Sequence, residues 1–145
     1  MALTRDSNAR RPHFFAPLKY NMQLLKAGAD PTTRTPEGRP PLSVIAGMVS
    51  NSDSADIVRS LLKAGAQPDA FCMDGLLPIH IACTASGDTG VVQALLAGGA
   101  EINSPCPGES FLLPIHLAAR SGHAEAARAL AITTGCRLDE KANNG

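Results

Sequence analysis

The chain has 145 residues, with 13 Lys/Arg, 13 Asp/Glu, 44% hydrophobic residues and 3% aromatics. That length suits one domain. Zero formal charge argues against the strongly basic surface needed to bind nucleic acid without sequence preference, and no run approaches the roughly 18 apolar residues that span a bilayer.

In chain order, residues 1–17 form an N-terminal segment without readable structure. The stretch from Met1 to Asn8 lacks the apolar core of a secretory signal. Arg10-Arg11 is too short to serve as a nuclear or membrane signal, and His13 sits in no pattern. Residues 1–39 carry seven basic and three acidic side chains (7 − 3 = +4), and residues 40–145 carry six and ten (6 − 10 = −4). The N-terminal end is mildly basic and the body mildly acidic, which suits an ordinary solvated surface.

From residue 18 the chain repeats itself. Leu24-Leu25-Lys26-Ala27-Gly28-Ala29-Asp30-Pro31 returns as Leu61-Leu62-Lys63-Ala64-Gly65-Ala66-Gln67-Pro68. It returns again as Leu95-Leu96-Ala97-Gly98-Gly99-Ala100-Glu101-Ile102-Asn103. A second block follows each one: Pro40-Pro41-Leu42-Ser43-Val44-Ile45-Ala46, Leu77-Pro78-Ile79-His80-Ile81-Ala82, and Leu113-Pro114-Ile115-His116-Leu117-Ala118-Ala119. Gly28, Gly65 and Gly99 are spaced by 37 and 34 residues, and Pro41, Pro78 and Pro114 by 37 and 36. Chance does not keep two interleaved blocks in step.

Each proline suits the first turn of a short helix, where its missing N–H costs nothing. Gly87 and Gly122 stand where a left-handed residue would end that helix. Asp88 is placed to cap the following helix, as is Asp53 or Ser54 one repeat earlier. In the second helices Ile57-Val58 with Leu61-Leu62, Val91-Val92 with Leu95-Leu96, and Ala126-Ala127 with Leu130 form a wide apolar stripe. One helix pair cannot bury such a stripe, so the pairs must stack. Gly28, Gly65, Gly99 and Gly135 close the second helices, and polar turns lead to the next proline.

These blocks resemble the ankyrin repeat, whose period is about 33 residues and whose signature is Thr-Pro-Leu-His. The resemblance implies an all-α solenoid of stacked helix-turn-helix pairs joined by β-turn or hairpin-like loops. It covers about residues 18–145, as a partial repeat over 18–37 and repeats near 38–74, 75–108 and 109–145. Leu77, Leu113 and Pro40 replace the family's threonine, which removes its hydroxyl cap and its bond to the histidine. The expected loss is about 1 kcal/mol per cap. Insertions fall at Asn51–Ser54 (four residues) and within Ser104–Ser110 (two residues). Both ends look cut, so a fragment of a longer array is the preferred expectation, with a genuine fraying C-terminus as the alternative.

Candidate chemistry is sparse. His80 and His116 hold the signature position and His123 another familiar one, where histidines make structural hydrogen bonds; no acid, base and nucleophile recur around them. The glycines do not form a phosphate cradle, and Asp139-Glu140 reads as a solvated turn. Cys72, Cys83, Cys106 and Cys136 are 11, 23 and 30 residues apart, with no Cys-x-x-Cys pair. Four reduced thiols in an intracellular protein, cytoplasmic or nuclear, are expected, with Cys106 between two prolines exposed and oxidisable. No catalysis, cofactor or metal is expected. Leu95 followed by Glu101-Ile102-Asn103 resembles a site for a 2-oxoglutarate-dependent asparaginyl hydroxylase; the alternative has Asn103 bracing its turn.

The resemblance thus implies a protein–protein interaction module binding on the concave face of turn tips and inner helices. The other reading is a spacer or accessory array within a larger enzyme, channel or scaffold. The partner is another protein, not nucleic acid, with no membrane insertion, and the chain acts as a monomer or as part of a larger one. Positions that do not build the fold are the candidate contacts. They are Arg34, Glu37 and Arg39 in the first turn, and Phe71, Met73, Asp74 and Leu76 in the second. Glu109 and Phe111 follow in the third turn, and Thr84, Ala85, Arg120 and Ser121 at the inner-helix ends. Phe71 and Phe111 are open to a second reading, in which they fold back and extend the core.

Overall fold

The computed structural model describes residues 27–28, 30–48, 53–72, 74–108 and 112–133. Six helices run in order: α1 (Pro41–Ala46), α2 (Ser54–Lys63), α3 (Pro78–Ile81), α4 (Thr89–Ala97), α5 (Pro114–Arg120) and α6 (Ala124–Ile132). A π-helical turn, Ala82–Ser86, continues α3. No strand occurs among the described residues. The readings of a helix at 18–28, a helix-closing Gly135 and the insertion at Asn51–Ser54 (of which only Asp53 and Ser54 are described) fall outside this set.

The short helices start as the prolines dictate. Pro40, Leu77 and Leu113 precede a proline and take extended backbone, with ψ of 157°, 158° and 162°. Leucine has no polar atom with which to cap α3 or α5. The histidine supplies the reciprocal bond instead: the Leu77 N–H donates to His80 Nδ1 at 3.1 Å, and the Leu113 N–H to His116 Nδ1 at 3.0 Å. The first repeat needs no such acceptor, because Pro40 has no N–H, and Ser43 stands there instead. Its Oγ is buried without a hydrogen-bond partner.

Helix caps follow the sequence only in part. Asp88 Oδ1 accepts the Val91 N–H at 3.2 Å and caps α4. In α2 the expectation fails: Asp53, at the N-cap, has αR backbone and makes no side-chain cap bond. Ser54 Oγ is buried without a hydrogen-bond partner.

Stacking buries the stripe. α1, α3 and α5 pack in series as an inner layer, and α2, α4 and α6 as an outer one. Ile57, Val58, Leu61, Val91, Val92, Leu95, Ala126 and Leu130 are all buried between these layers. Leu62, Leu96 and Ala127 pack at the margin of the core. Gly98 at the end of α4 lies so close to Leu62 that a Cβ there would overlap its side chain.

The turn tips are hairpins. The Thr35 N–H donates to Arg39 O at 2.9 Å and the Gly38 N–H to Thr35 O at 2.8 Å, with Gly38 at φ +80°. The second tip repeats this, Cys72 N–H to Leu76 O at 2.9 Å and Gly75 N–H to Cys72 O at 2.8 Å, with Gly75 at φ +84°. A tight turn followed by one left-handed residue is a three-residue hairpin loop, and glycine meets that φ without strain. In the third tip the Cys106 N–H reaches Leu112 O, two positions further on, which accommodates the two-residue insertion.

Equivalence of the tips corrects one expectation. Cys106 is buried, 2% exposed, as is Cys72 at the same place in the previous tip. The flanking prolines mark a hairpin whose first paired residue points into the core, so the thiol is not open to oxidants.

A candidate protein-binding groove on the concave face

The π turn was legible in the numbering but absent from the expectations above. Pro78 to Gly87 spans one residue more than Pro114 to Gly122. The extra residue is absorbed by widening the last turn of α3, and the Gly87 N–H donates to Ala82 O, five residues back, at 2.8 Å. Ser86 Oγ donates to Ala46 O at 2.9 Å and ties the turn to α1. Gly87 has φ +62° beneath the His123 ring, where a Cβ would overlap the imidazole. This turn carries Thr84 and Ala85, both exposed.

Below the π turn an open groove of about 340 Å³ runs between the second and third repeats. Asp74 and Leu76 line it from the second tip, Cys106, Pro107 and Gly108 from the third, and His80, Thr84, Leu117 and Arg120 from the inner helices. Four expected contacts therefore meet at one place: Asp74, Leu76, Thr84 and Arg120. Sequence reading missed Pro107 and Gly108, since nothing in a Pro-Gly pair distinguishes a groove wall from a plain turn.

His80 forms the floor rather than a reactive group. Its Nδ1 accepts from the Leu77 N–H, so the proton sits on Nε2, which donates to Ser104 O at 2.8 Å across 24 residues. Both nitrogens are satisfied and the side chain is 1% exposed. Burial lowers its pKa below the ordinary value, against the opposing pull of the Ser104 carbonyl and Asp69. Cys83 is pushed up to about 12 by burial, so it holds no thiolate at neutral pH. No group of three His, Cys, Asp or Glu side chains able to hold a metal occurs among the described residues.

The remaining expected contacts are distributed. Arg34 has a task within the fold: its Nη1 donates to Gly38 O and to Phe71 O, each at 2.7 Å, and staples the first tip to the second. Beside it Glu37 and Arg39 are exposed. The Thr35 side chain, then the Glu37 backbone, hold the Glu37 carboxyl below the usual range, with a further pull from Arg39. Phe71 is 60% exposed, so it does not extend the core. Leu76 is half-buried against the core, Ser121 follows α5 and is exposed, and Asn103 is half-buried and already engaged. Met73, Glu109 and Phe111 lie outside the described residues.

The family model for ankyrin repeats (3 copies) matches residues 18–106 and 48–142. The chain belongs to the ankyrin repeat family, and the stacked helix pairs are its solenoid. Such repeats generally mediate protein–protein interaction and are typically non-catalytic. A search of the curated proteins finds no match. No helix among the described residues is long and apolar enough to cross a membrane.

Proposed function

We propose that this chain is a non-catalytic module that holds a partner protein on its concave face, across the tips and the ends of the inner helices. One observation carries the reading: Asp74, Leu76, Thr84 and Arg120 come from three successive repeats and line one open groove. Phe71, exposed on the second tip beside Asp74, adds an apolar anchor of the kind that dominates interface energy. Glu37, Arg39, Ala85 and Ser121 rim the same face, with Met73, Glu109 and Phe111 as further contacts. The buried thiols of Cys72, Cys83 and Cys106, none of them in a disulfide, suit an intracellular site, cytoplasmic or nuclear. No nucleic acid, cofactor or metal enters this reading. Residues 18–37, 38–74, 75–108 and 109–145 are its repeat units. Asn103 as a hydroxylation target belongs to the same proposal, and mass spectrometry of chain purified from cells would read it as a 16 Da addition (about one oxygen).

Affinity capture from lysate tests the binding face. Proteins retained by the wild type should be lost on Thr84→Arg or Arg120→Glu and kept on Lys63→Glu, which lies on the outer helix α2. Equal retention by all four chains would remove the concave face from the reading. A second reading, an accessory array within a larger protein, is favoured by Ile132 at the end of α6. It is 76% exposed, an apolar surface that a further helix pair would cover.

A further inference from the structure

A side chain at a fixed register braces the second tip to the third. Four residues after Gly28, Gly65 and Gly99 stand Thr32, Asp69 and Asn103, and two residues after them Asp30, Gln67 and Glu101. Asp69 Oδ1 accepts the Glu101 N–H at 3.1 Å, across 32 residues. One junction earlier the equivalent pair is Thr32 and Gln67, and the bond is missing. Thr32 Oγ1 donates instead to Asp30 Oδ1 at 2.6 Å, within its own loop, and the Gln67 N–H has no partner among the described residues. Thr32 and Gln67 line one pocket of about 140 Å³, together with Arg34 and the buried Pro40, Leu42 and Ala66. Arg34 Nη1 is spent on Gly38 O and Phe71 O, which leaves the Nε and Nη2 donors uncommitted. The same register holds Phe71 and Pro105 in the later tips, so the cation belongs to this junction alone.

We propose that this pocket takes the carboxylate of an acidic side chain from a partner protein, which supplies in trans the acceptor that Asp69 supplies in cis one junction later. The Gln67 N–H and the Arg34 guanidinium are its donors, and the buried apolar residues hold its stem. The inference rests on the protein-binding reading above, yet shares no lining residue with the groove and so adds a separate contact. Charge complementarity selects the occupant. Both donors lack an acceptor of their own, and hydrogen bonds to an ionised carboxylate are roughly twice as strong as neutral ones. Asp30 does not serve, because its Oδ1 already accepts from the Thr32 N–H and Oγ1. The volume lies below the roughly 300–1,000 Å³ of small-molecule sites, which suits a single side chain.

The test is a titration of the isotope-labelled full chain with blocked glutamate (acetylated and methylamidated), read by two-dimensional NMR. The Gln67 amide proton should move downfield and saturate with a millimolar Kd, while the Glu101 amide, already bonded to Asp69, stays in place. Blocked glutamine lacks the charge and acetate lacks the stem, so each should bind about two- to fivefold more weakly. Arg34→Gln should weaken blocked glutamate by a similar factor. Thr32→Asn, which sets at this register the residue type found at 103, should shift the Gln67 amide without ligand and abolish the response. Melting curves of both variants confirm folding. A Gln67 amide that ignores blocked glutamate, that answers blocked glutamine equally, or that responds unchanged in Thr32→Asn would overturn the proposal. The lysate capture with Thr84→Arg and Arg120→Glu probes other residues, so the protein-binding reading stands or falls separately.

Discussion

Single side chains in this chain divide between those that close a repeat and those left over. Ser43 shows the cost of a left-over group. Its Oγ is buried without a hydrogen-bond partner where the later repeats place a histidine whose Nδ1 accepts the N-cap N–H. An unsatisfied buried hydroxyl costs about 1–3 kcal/mol, so Ser43→Ala should raise stability by about 1 kcal/mol in a urea titration. His80 is the opposite case. Removing it orphans the Leu77 N–H and the Ser104 carbonyl, and His80→Ala should cost about 2–5 kcal/mol in the same titration. The same residue sets a pH response. Its folded-state pKa is lowered, so as pH falls below about 6.5 the unfolded chain takes up the proton first. Its contribution is therefore fully present above about pH 6.5 and is lost on acidification toward the lower folded value. The melting temperature should fall between pH 7 and 5, and His80→Gln should flatten that part of the profile. Phe71 belongs to neither group. Being 60% exposed, Phe71→Ala should leave stability within about 0.5 kcal/mol and weaken a captured partner by about 1–3 kcal/mol.

At the scale of elements, the repeats tolerate inserted residues by different devices. The third tip lengthens its hairpin, whereas α3 absorbs its extra residue as a π turn. A hairpin loop grows toward solvent at little cost, but a helix must re-register its bonds and shift every residue after the insertion. Deleting Ala85 would restore the spacing of α5. The shortened chain should melt cooperatively, with a stability loss of about 1 kcal/mol, yet retain a captured partner more weakly because Thr84 is displaced. Gly87→Ala, in contrast, combines a left-handed backbone with a methyl group against the His123 ring. It should destabilise by about 1–3 kcal/mol in thermal melts.

Across the whole molecule, stability is distributed by neighbour. α4 is packed between α2 and α6, while α6 packs mainly on α4 and α5 and ends on the exposed Ile132. Stacked repeats gain much of their stability from interfaces, so an element covered on one side opens more readily. Amides of Ala126–Ile132 should exchange faster than those of Val91–Ala97 in native-state hydrogen exchange. Equal protection would mean that the array opens as one unit.

The sequence alone determined the architecture. Prolines at fixed spacing open the inner helices, paired aliphatics at i, i+1, i+4 and i+5 line the outer ones, and glycines end them, because these are local constraints on backbone and burial. The tip residues Asp74 and Phe71 and the helix-end residues Thr84 and Arg120 were legible by subtraction, as positions the fold does not need. Tertiary structure alone decided which of them meet. Arg34 looks like any surface arginine until the neighbouring tip brings the Phe71 carbonyl to it, and Cys106 looks exposed until its hairpin pairs and turns it inward. The groove is the same kind of fact: its walls come from residues 74 to 120, and only the stacking of one repeat on the next sets their charges around a common floor. Local sequence fixes dihedrals and periodicity, whereas a site built across an interface depends on the rotation and rise between repeats, which no single repeat encodes.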